Sequence, residues 1–246
     1  MIETKLIVGR YIELNTPPPT LAGPPVAGFQ EVTAVVLHIE ESHSSAAPVA
    51  AQNPQPGFNP TFKQQVAIGL QRAGQQVGSQ FDRQRTSATG LGAVAKVHRN
   101  FVWLEWMPGL VSEVQPGGMD VLTGPMSGCW IMSYLKGGVH YIGHVGTDNL
   151  RTTANSIAAR NAWNTYAAAQ PMTAYSGFNP FNDPWIGGPI PAGVAGESAR
   201  KTFALVTAAG TFHTIIAYPQ TNKPTRIRIA GIQQNHSSLP QNGQIV

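Results

Sequence analysis

One cysteine and two nearby histidines are the residues of this sequence best suited to do chemistry. Cys129 is the only cysteine and follows the pair Ser127-Gly128. His140 and His144 lie on the next apolar run. A thiol becomes a strong nucleophile when a neighbouring base accepts its proton, and histidine is the commonest such base. The residue types therefore predict a catalytic centre in this part of the chain.

A β-hairpin is predicted to bring the histidines back towards the cysteine. Apolar and β-branched residues at 130–135 and 139–145 indicate two strands, and 136–138 reads as a three-residue turn. In that hairpin His144 lies across from Cys129 or within one or two residues of it. His140 points to the same face but lies about 13 Å nearer the turn. His144 is therefore the predicted base, and His140 is the alternative.

Ser127 and Gly128 are expected to serve the approach of a substrate. Glycine removes a side chain beside the sulfur, so that a carbonyl group can come close. A turn over 124–128 would also direct backbone N–H groups inwards, as an oxyanion hole requires.

The motif around the cysteine resembles that of a known enzyme family. Residues 122–129 read Leu-Thr-Gly-Pro-Met-Ser-Gly-Cys, and His-Val-Gly-Thr follows at 144–147. This pattern is similar to the active-site core of the cytotoxic necrotizing factor deamidases, Burkholderia lethal factor and the chemotaxis-receptor glutamine deamidases. The resemblance implies that Cys129 is the nucleophile and His144 the base. It also implies that Thr123, six positions before the cysteine, orients the imidazole through its backbone carbonyl.

The same resemblance carries expectations about fold and function. It implies a sandwich of mixed β-sheets with helices packed outside. The implied activity is a hydrolase that deamidates a glutamine side chain of a target protein, without a metal or an organic cofactor. The implied setting is that of a secreted bacterial toxin or virulence effector, whose partner is a protein of a host or competitor cell.

The residues alone leave other interpretations open. A Cys/His pair also suits a peptidase or a transglutaminase-like enzyme. A lone cysteine is often a small buried apolar residue, and the protein would then be a non-enzymatic binding module that uses its long loops. A metal site is not expected, because one cysteine without a nearby acidic pair is a poor ligand set.

The order of the elements independently predicts an α+β protein of one domain over 1–246. About eight strands and two helices are indicated. Two loops are unusually long for a compact domain, and loops of such length tend to be functional or disordered. The strands are predicted at 2–14, 29–41, 94–107, 110–114, 202–208, 211–218 and 225–232 besides the hairpin, the helices at 61–80 and 149–170, and the long loops at 42–60 and 171–198. The strand at 110–114 is expected to pair with the preceding one, Asp148 or Asn149 to cap the second helix, and the residues after Gln233 to fray.

Composition argues against several partners. Charged residues make up only 11% of the chain, and the net charge of +4 comes from basic residues that are scattered along it without forming a run. We therefore expect no nucleic-acid partner. No apolar run reaches about 18 residues, so no membrane-spanning helix is expected. The first residues do not resemble a signal peptide. We expect a monomer that is made in the bacterial cytoplasm and exported by a leaderless route.

Overall fold

The computed structural model describes residues 2–41, 100–170, 175–186 and 188–246. The predicted loop at 42–60 and the predicted helix at 61–80 lie outside these ranges. A short 3₁₀ helix, Ile2–Lys5, precedes the strands. The strands are β1 (Tyr11–Glu13), β2 (Phe29–Glu31), β3 (Val36–His38), β4 (Glu40–Glu41), β5 (Asn100–Leu104), β6 (Val111–Val114), β7 (Asp120–Met126), β8 (Trp130–Lys136), β9 (Val139–Val145), β10 (Tyr175–Phe178), β11 (Lys201–Val206), β12 (Phe212–Pro219) and β13 (Arg226–Asn235), and the helix α1 is Ala154–Ala168.

Eight of these strands form a curled sheet in the order β3-β5-β7-β11-β12-β13-β1-β4. The two edge strands, β3 and β4, are separated in the chain by Ile39 alone. The two edges of the sheet must therefore meet at this residue, and the sheet curls towards a closed barrel. Ile39 is buried, and the inner face is filled by a cluster that includes Ile2, Leu6, Ile12, Phe101, Leu122, Leu205, Ile215 and Ile229.

The other five strands form a second sheet in the order β10-β8-β9-β6-β2. Because side chains alternate along a strand, its two faces bury different sets of residues. One face packs against the curled sheet, in a cluster that includes Val102, Val121, Cys129, Ile131, Ile142, Phe178 and Val206. The other face is covered by α1, in a cluster that includes Phe29, Val111, Trp130, Tyr134, Val145, Ala159 and Trp163.

The architecture confirms the predicted class, an α+β sandwich of two mixed sheets. One α-helix packs outside it within the described residues. None of the helices in these residues is both long and apolar enough to cross a membrane.

The predicted hairpin exists as β8 and β9, but its turn is tighter than predicted. Lys136 pairs directly with Val139, so the turn has two residues, Gly137 and Gly138, and not three. Both glycines have positive φ, at 58° and 81°. Two successive residues of positive φ give the turn whose twist matches that of the flanking strands.

The segment predicted as a turn over 124–128 is strand for most of its length, because β7 continues to Met126. A bulge accommodates the proline. Thr123 pairs with Ala204 and Met126 with Thr202, so Phe203 alone lies opposite Gly124 and Pro125. Proline cannot donate to a strand ladder, and a bulge is one of the few places in a sheet that tolerate it.

Helix α1 begins later than predicted. Its N-cap is Thr153, whose hydroxyl accepts the backbone N–H of Ser156 at 3.1 Å. The cap is therefore not Asp148 or Asn149. The buried positions Ser156, Ala159, Trp163 and Ala167 repeat every three or four residues, as expected for a helix with one face on a sheet.

Several strand predictions were wrong at their ends or in their pairing. The region 2–14 is mostly helix and loop before β1, and 29–41 is divided into three short strands. Strand β6 does not form a hairpin with β5; it pairs with β9 and β2 in the second sheet. The chain does not fray after Gln233, since β13 reaches Asn235 and Ile245 is buried. The three closing strands are confirmed as β11, β12 and β13.

Candidate active site

A cleft of about 420 Å³ opens where β7 ends and β8 begins, and Cys129 lies on its wall. Trp106 comes from the loop after β5, and Thr147 and Asp148 come from the segment after β9. The cleft therefore joins the ends of strands from both sheets at one place. Its other walls include Met126, Ser127 and Leu150.

Although Cys129 belongs to this wall, its side chain is almost fully buried, with 1% of the residue exposed. Its sulfur donates a hydrogen bond to the backbone carbonyl of Thr147 at 3.3 Å. Burial raises the pKa of the Cys129 thiol, while hydrogen bonding by the Thr147 side chain acts in the opposite direction. The thiol is therefore protonated at neutral pH in this resting arrangement.

His144 lies on the same face of the second sheet as Cys129. It pairs with Ile131, which is two residues along the chain from the cysteine. This is the position predicted for it. Diagonal neighbours of this kind have Cα atoms roughly 7–8 Å apart, within reach of a long side chain. Among the described residues, however, the sulfur's hydrogen bond goes to Thr147 and not to the imidazole.

Thr123 holds the imidazole from the opposite sheet. Its hydroxyl oxygen lies 2.6 Å from His144 Nδ1 and 2.6 Å from the backbone carbonyl oxygen of Leu104. A carbonyl only accepts, so the single hydroxyl proton is donated to Leu104. The hydroxyl must then accept from His144, which places the imidazole proton on Nδ1. Nε2 is left as a bare acceptor, and it has no hydrogen-bond partner although it is buried.

This contact corrects the expected role of Thr123. The residue was predicted to orient the histidine through its backbone carbonyl, but the side-chain hydroxyl makes the contact. The outcome for the tautomer is the same, since either oxygen accepts from Nδ1 and frees Nε2.

The environment of His144 keeps the imidazole neutral. The residue is completely buried, and this burial lowers its pKa to about 3. At physiological pH the resting pair is therefore a neutral thiol and a neutral imidazole. The two groups do not form a thiolate–imidazolium pair.

The structure does not bring His140 to the cysteine. It pairs with Leu135, six residues along β8 from Cys129, which corresponds to about 20 Å of strand. Its Nε2 lies 2.8 Å from the Ser133 hydroxyl, and partial burial lowers its pKa. His140 is therefore a surface residue of the hairpin.

Gly128 and Ser127 form the backbone wall beside the sulfur. Gly128 has a φ of +132°, which side chains rarely allow. A Cβ atom at Gly128 would meet nothing closer than the Asp148 carbonyl oxygen at 3.9 Å. The conformation of this peptide therefore favours glycine, and the predicted role of Gly128 in the approach of a substrate stays a prediction. The Ser127 hydroxyl contacts the side-chain oxygen of Asn149.

Three further residues contribute to the site besides the predicted catalytic and approach residues. Trp106 has a buried indole N–H without a hydrogen-bond partner, and it lines the cleft. Thr147 accepts the hydrogen bond of the sulfur through its backbone carbonyl. Asn179 donates to the backbone carbonyl of Gly128 at 3.1 Å. Thr147 belongs to the motif that follows His144, whereas nothing local in the sequence marks Trp106 or Asn179.

The aromatic residues of the segment predicted as a loop at 171–198 divide between core and surface. Phe178 is fully buried and packs on Phe212, and Tyr175 packs on Trp163. Phe181 remains 48% exposed. This part of the chain also contains β10, so it is not one continuous loop.

Comparison of this chain with protein-family models, with curated proteins and with solved structures finds no match. Within the residues that the structure describes, no group of three or more potential ligands is arranged to hold a metal ion. The site's chemistry therefore has to be argued from Cys129, His144 and their surroundings.

Proposed function

We propose that this protein is a cysteine hydrolase that deamidates a glutamine side chain of a target protein. The observation that carries the proposal is the Thr123–His144 contact, which fixes an imidazole with a bare Nε2 on the face that also carries Cys129. An oriented neutral imidazole beside a thiol is the arrangement that activates a nucleophile.

The first half of the reaction forms a thioester. The Cys129 side chain turns from the Thr147 carbonyl, and its proton passes to His144 Nε2. The sulfur attacks the carboxamide carbon, and the carbonyl oxygen becomes an oxyanion. When this tetrahedral species collapses, the C–N bond breaks and His144 returns the proton to the leaving nitrogen, which departs as ammonia.

The second half regenerates the enzyme. His144 Nε2 accepts a proton from a water molecule, and the resulting hydroxide attacks the thioester carbonyl. Collapse of the second tetrahedral species breaks the C–S bond, and the sulfur recovers a proton from His144. The product is glutamate, with no net change in the protein.

Backbone orientation at Gly128 supports a place for the oxyanion. Its carbonyl accepts from the Asn179 amide, so that carbonyl points towards Asn179. In a trans peptide the next N–H points the opposite way. The N–H of Cys129 is therefore directed away from Asn179 and is a candidate donor to the oxyanion.

The biological setting belongs to the same proposal. The resemblance to deamidase toxins supports a secreted toxin or effector that acts on a protein of a host or competitor cell. The open cleft suits a side chain presented by a folded protein, because its mouth is formed by surface loops. Residues Asn149 and Leu150 at this mouth are exposed.

Mass spectrometry of treated proteins tests the reaction. Purified protein is incubated with extracts of animal cells and of bacteria, and glutamine-to-glutamate conversion is mapped. Cys129→Ser is the matched control, because it changes one atom of a buried side chain. Conversion by the wild-type protein that is absent with Cys129→Ser supports deamidation. Conversion by both proteins rejects the proposal, and new termini or new cross-links would instead indicate a peptidase or a transglutaminase.

A non-catalytic binding module is the second candidate, and the burial of Cys129 favours it. A thiol that is 1% exposed and hydrogen-bonded to a carbonyl resembles an ordinary core cysteine. In that case Cys129→Ser and Cys129→Ala would leave every activity of the protein in cells unchanged. Loss of activity in both variants, with an unchanged fold, would exclude this alternative.

A further inference from the structure

A second pocket, of about 110 Å³, adjoins the cleft that leads to Cys129. The two share the residues Ser127, Thr147, Asp148 and Asn149 as walls. The two pockets are therefore close enough for one protein segment to place neighbouring side chains in both.

Two arginines, Arg151 and Arg160, line the second pocket, together with one acidic side chain, Asp148, and with Val246, the last residue of the sequence. Neither arginine forms an ion pair with a carboxylate within the described part of the chain. Val246, at its rim, is 77% exposed and makes no ion pair with them.

The guanidinium groups retain free hydrogen-bond donors. Arg160 uses one N–H to reach the backbone carbonyl of Arg151 at 2.7 Å. A guanidinium has five N–H donors in a planar fork, and this fork matches the two oxygens of a carboxylate. Because Arg160 is half-buried and held by this contact, part of its side-chain entropy is already lost before a ligand binds.

We propose that this pocket binds an acidic side chain of the protein substrate, close to the glutamine that enters the cleft. The inference rests on the proposed deamidase function and adds the chemical class that the enzyme selects. Two exposed apolar residues flank the pair of pockets, Leu150 at the cleft and Phe181 at the basic pocket. They suit contact with the apolar neighbours of the same acidic segment.

Peptide binding to the Cys129→Ser protein tests the inference without turnover. One fluorescent peptide has a central glutamine flanked on both sides by glutamate, and the other has threonine at those positions. The glutamate peptide is expected to bind about tenfold more tightly, as one charge-assisted, bidentate contact would give. This preference should disappear in Arg151→Gln/Arg160→Gln and persist in Lys223→Gln. Lys223→Gln is the control, because it removes a positive charge whose partner is Glu13, and neither residue lines the pocket.

Charge reversal gives a second, positive readout. Arg151→Glu/Arg160→Glu should prefer a peptide with lysine in place of the glutamates. Equal binding of the glutamate and threonine peptides by the parent protein, or no binding of either, overturns the acidic subsite. A preference for the glutamate peptide that survives in Arg151→Gln/Arg160→Gln also overturns it.

The two proposals, an acidic subsite and a deamidase reaction, can fail independently. Ammonia release from the threonine peptide by the wild-type protein leaves the deamidase proposal standing even when the charge preference is absent. Conversely, a charge preference in binding without any glutamine conversion would retain the basic pocket and reject the reaction.

Discussion

The Thr123 hydroxyl accepts the Nδ1–H of His144 across the space between the two sheets, at 2.6 Å. Thr123 comes from β7 of the curled sheet and His144 from β9 of the second sheet, and both are completely buried. Because neither residue is exposed, bulk solvent does not compete for the contact. The contact therefore fixes both the tautomer and the ring orientation of the histidine.

Replacing Thr123 by valine should remove that orientation while it preserves the shape of the side chain. We expect kcat for glutamine deamidation to fall roughly tenfold to a hundredfold, which is part of the roughly hundredfold to ten-thousandfold that general acid–base catalysis contributes. KM should change little, since Thr123 does not line the cleft. Steady-state ammonia release measures both constants.

The controls for this variant separate positioning from stability. Thr123→Ser keeps the hydroxyl and should recover most of the activity. Thr214→Val removes another buried hydroxyl, which bonds to Asn235, and costs stability of a similar kind, about 1–2 kcal/mol. A loss of kcat in Thr214→Val as large as that in Thr123→Val would contradict the positioning role.

The pH dependence of alkylation should report the neutral state of the Cys129 thiol. Burial raises its pKa from the ordinary value of 9.0, so the thiolate is scarce at neutral pH. Since only the thiolate reacts, the rate of carboxamidomethylation by iodoacetamide should rise about tenfold per pH unit through pH 8. The plot of this rate against pH should level off only above pH 9. Because Cys129 is the only cysteine, the whole signal belongs to it.

Urea-unfolded protein provides the reference for that measurement. Its rate should bend at an ordinary thiol pKa and exceed the native rate at every pH below 8. A native bend near pH 6 or 7 would show instead a thiolate stabilised in the resting site, and would disprove the neutral pair.

The stability of the protein should fall in acid because of His144. Its folded-state pKa, about 3, is below the unfolded value of 6.5, so the unfolded chain binds the extra proton between these values. The stabilisation is present in full above pH 6.5 and is lost as the pH falls towards 3. The slope within the window is about 1.4 kcal/mol per pH unit for one group. Urea unfolding at a series of pH values measures it.

Two histidine variants show which histidine causes the dependence of the unfolding free energy on pH. His144→Gln cannot take up the proton and should flatten the dependence, although it begins from a lower stability. His140→Gln should leave most of the slope, since His140 is exposed. His213 also has a pKa lowered by burial and accounts for part of the remaining slope. An unchanged slope in His144→Gln would mean that the histidine is already solvated in the native protein.

The local part of the site could be predicted from the sequence because a hairpin is a local structure. Two glycines between two apolar runs determine the register, and the register places His144 within two residues of Cys129. The error of one residue in the turn length mattered, because a three-residue turn would pair His144 with Trp130 on the face towards the helix. The two-residue turn pairs it with Ile131, on the face that also carries Cys129. The closing strands β11, β12 and β13 were predicted for the same reason.

The remainder of the site depends on contacts between distant segments. That β7 lies beside β5 and β11 is decided by the curling of the sheet, which nothing near Thr123 indicates. The role of its hydroxyl follows only when the two sheets are stacked. Asn179 reaches Gly128 because β10 pairs with β8, whereas its segment reads as a loop. Pairing over such separations is set by the whole core and not by local propensity.

A substitution at Gly128 tests whether the conformation of the backbone before the cysteine positions the sulfur. Its φ of +132° lies in a region that is essentially restricted to glycine, and a side chain there would meet no steric obstacle. Gly128→Ala should therefore cost about 1–3 kcal/mol through backbone strain alone. To relieve this strain the peptide before Cys129 must rotate, and its N–H moves with it. We expect ammonia release to fall by more than the stability loss explains, while Gly137→Asn, at a φ of +58° in the hairpin turn, should have little effect on either. Full activity in a folded Gly128→Ala protein would show that the conformation of this peptide is irrelevant to the reaction, and chemical denaturation with ammonia release on the same samples decides it.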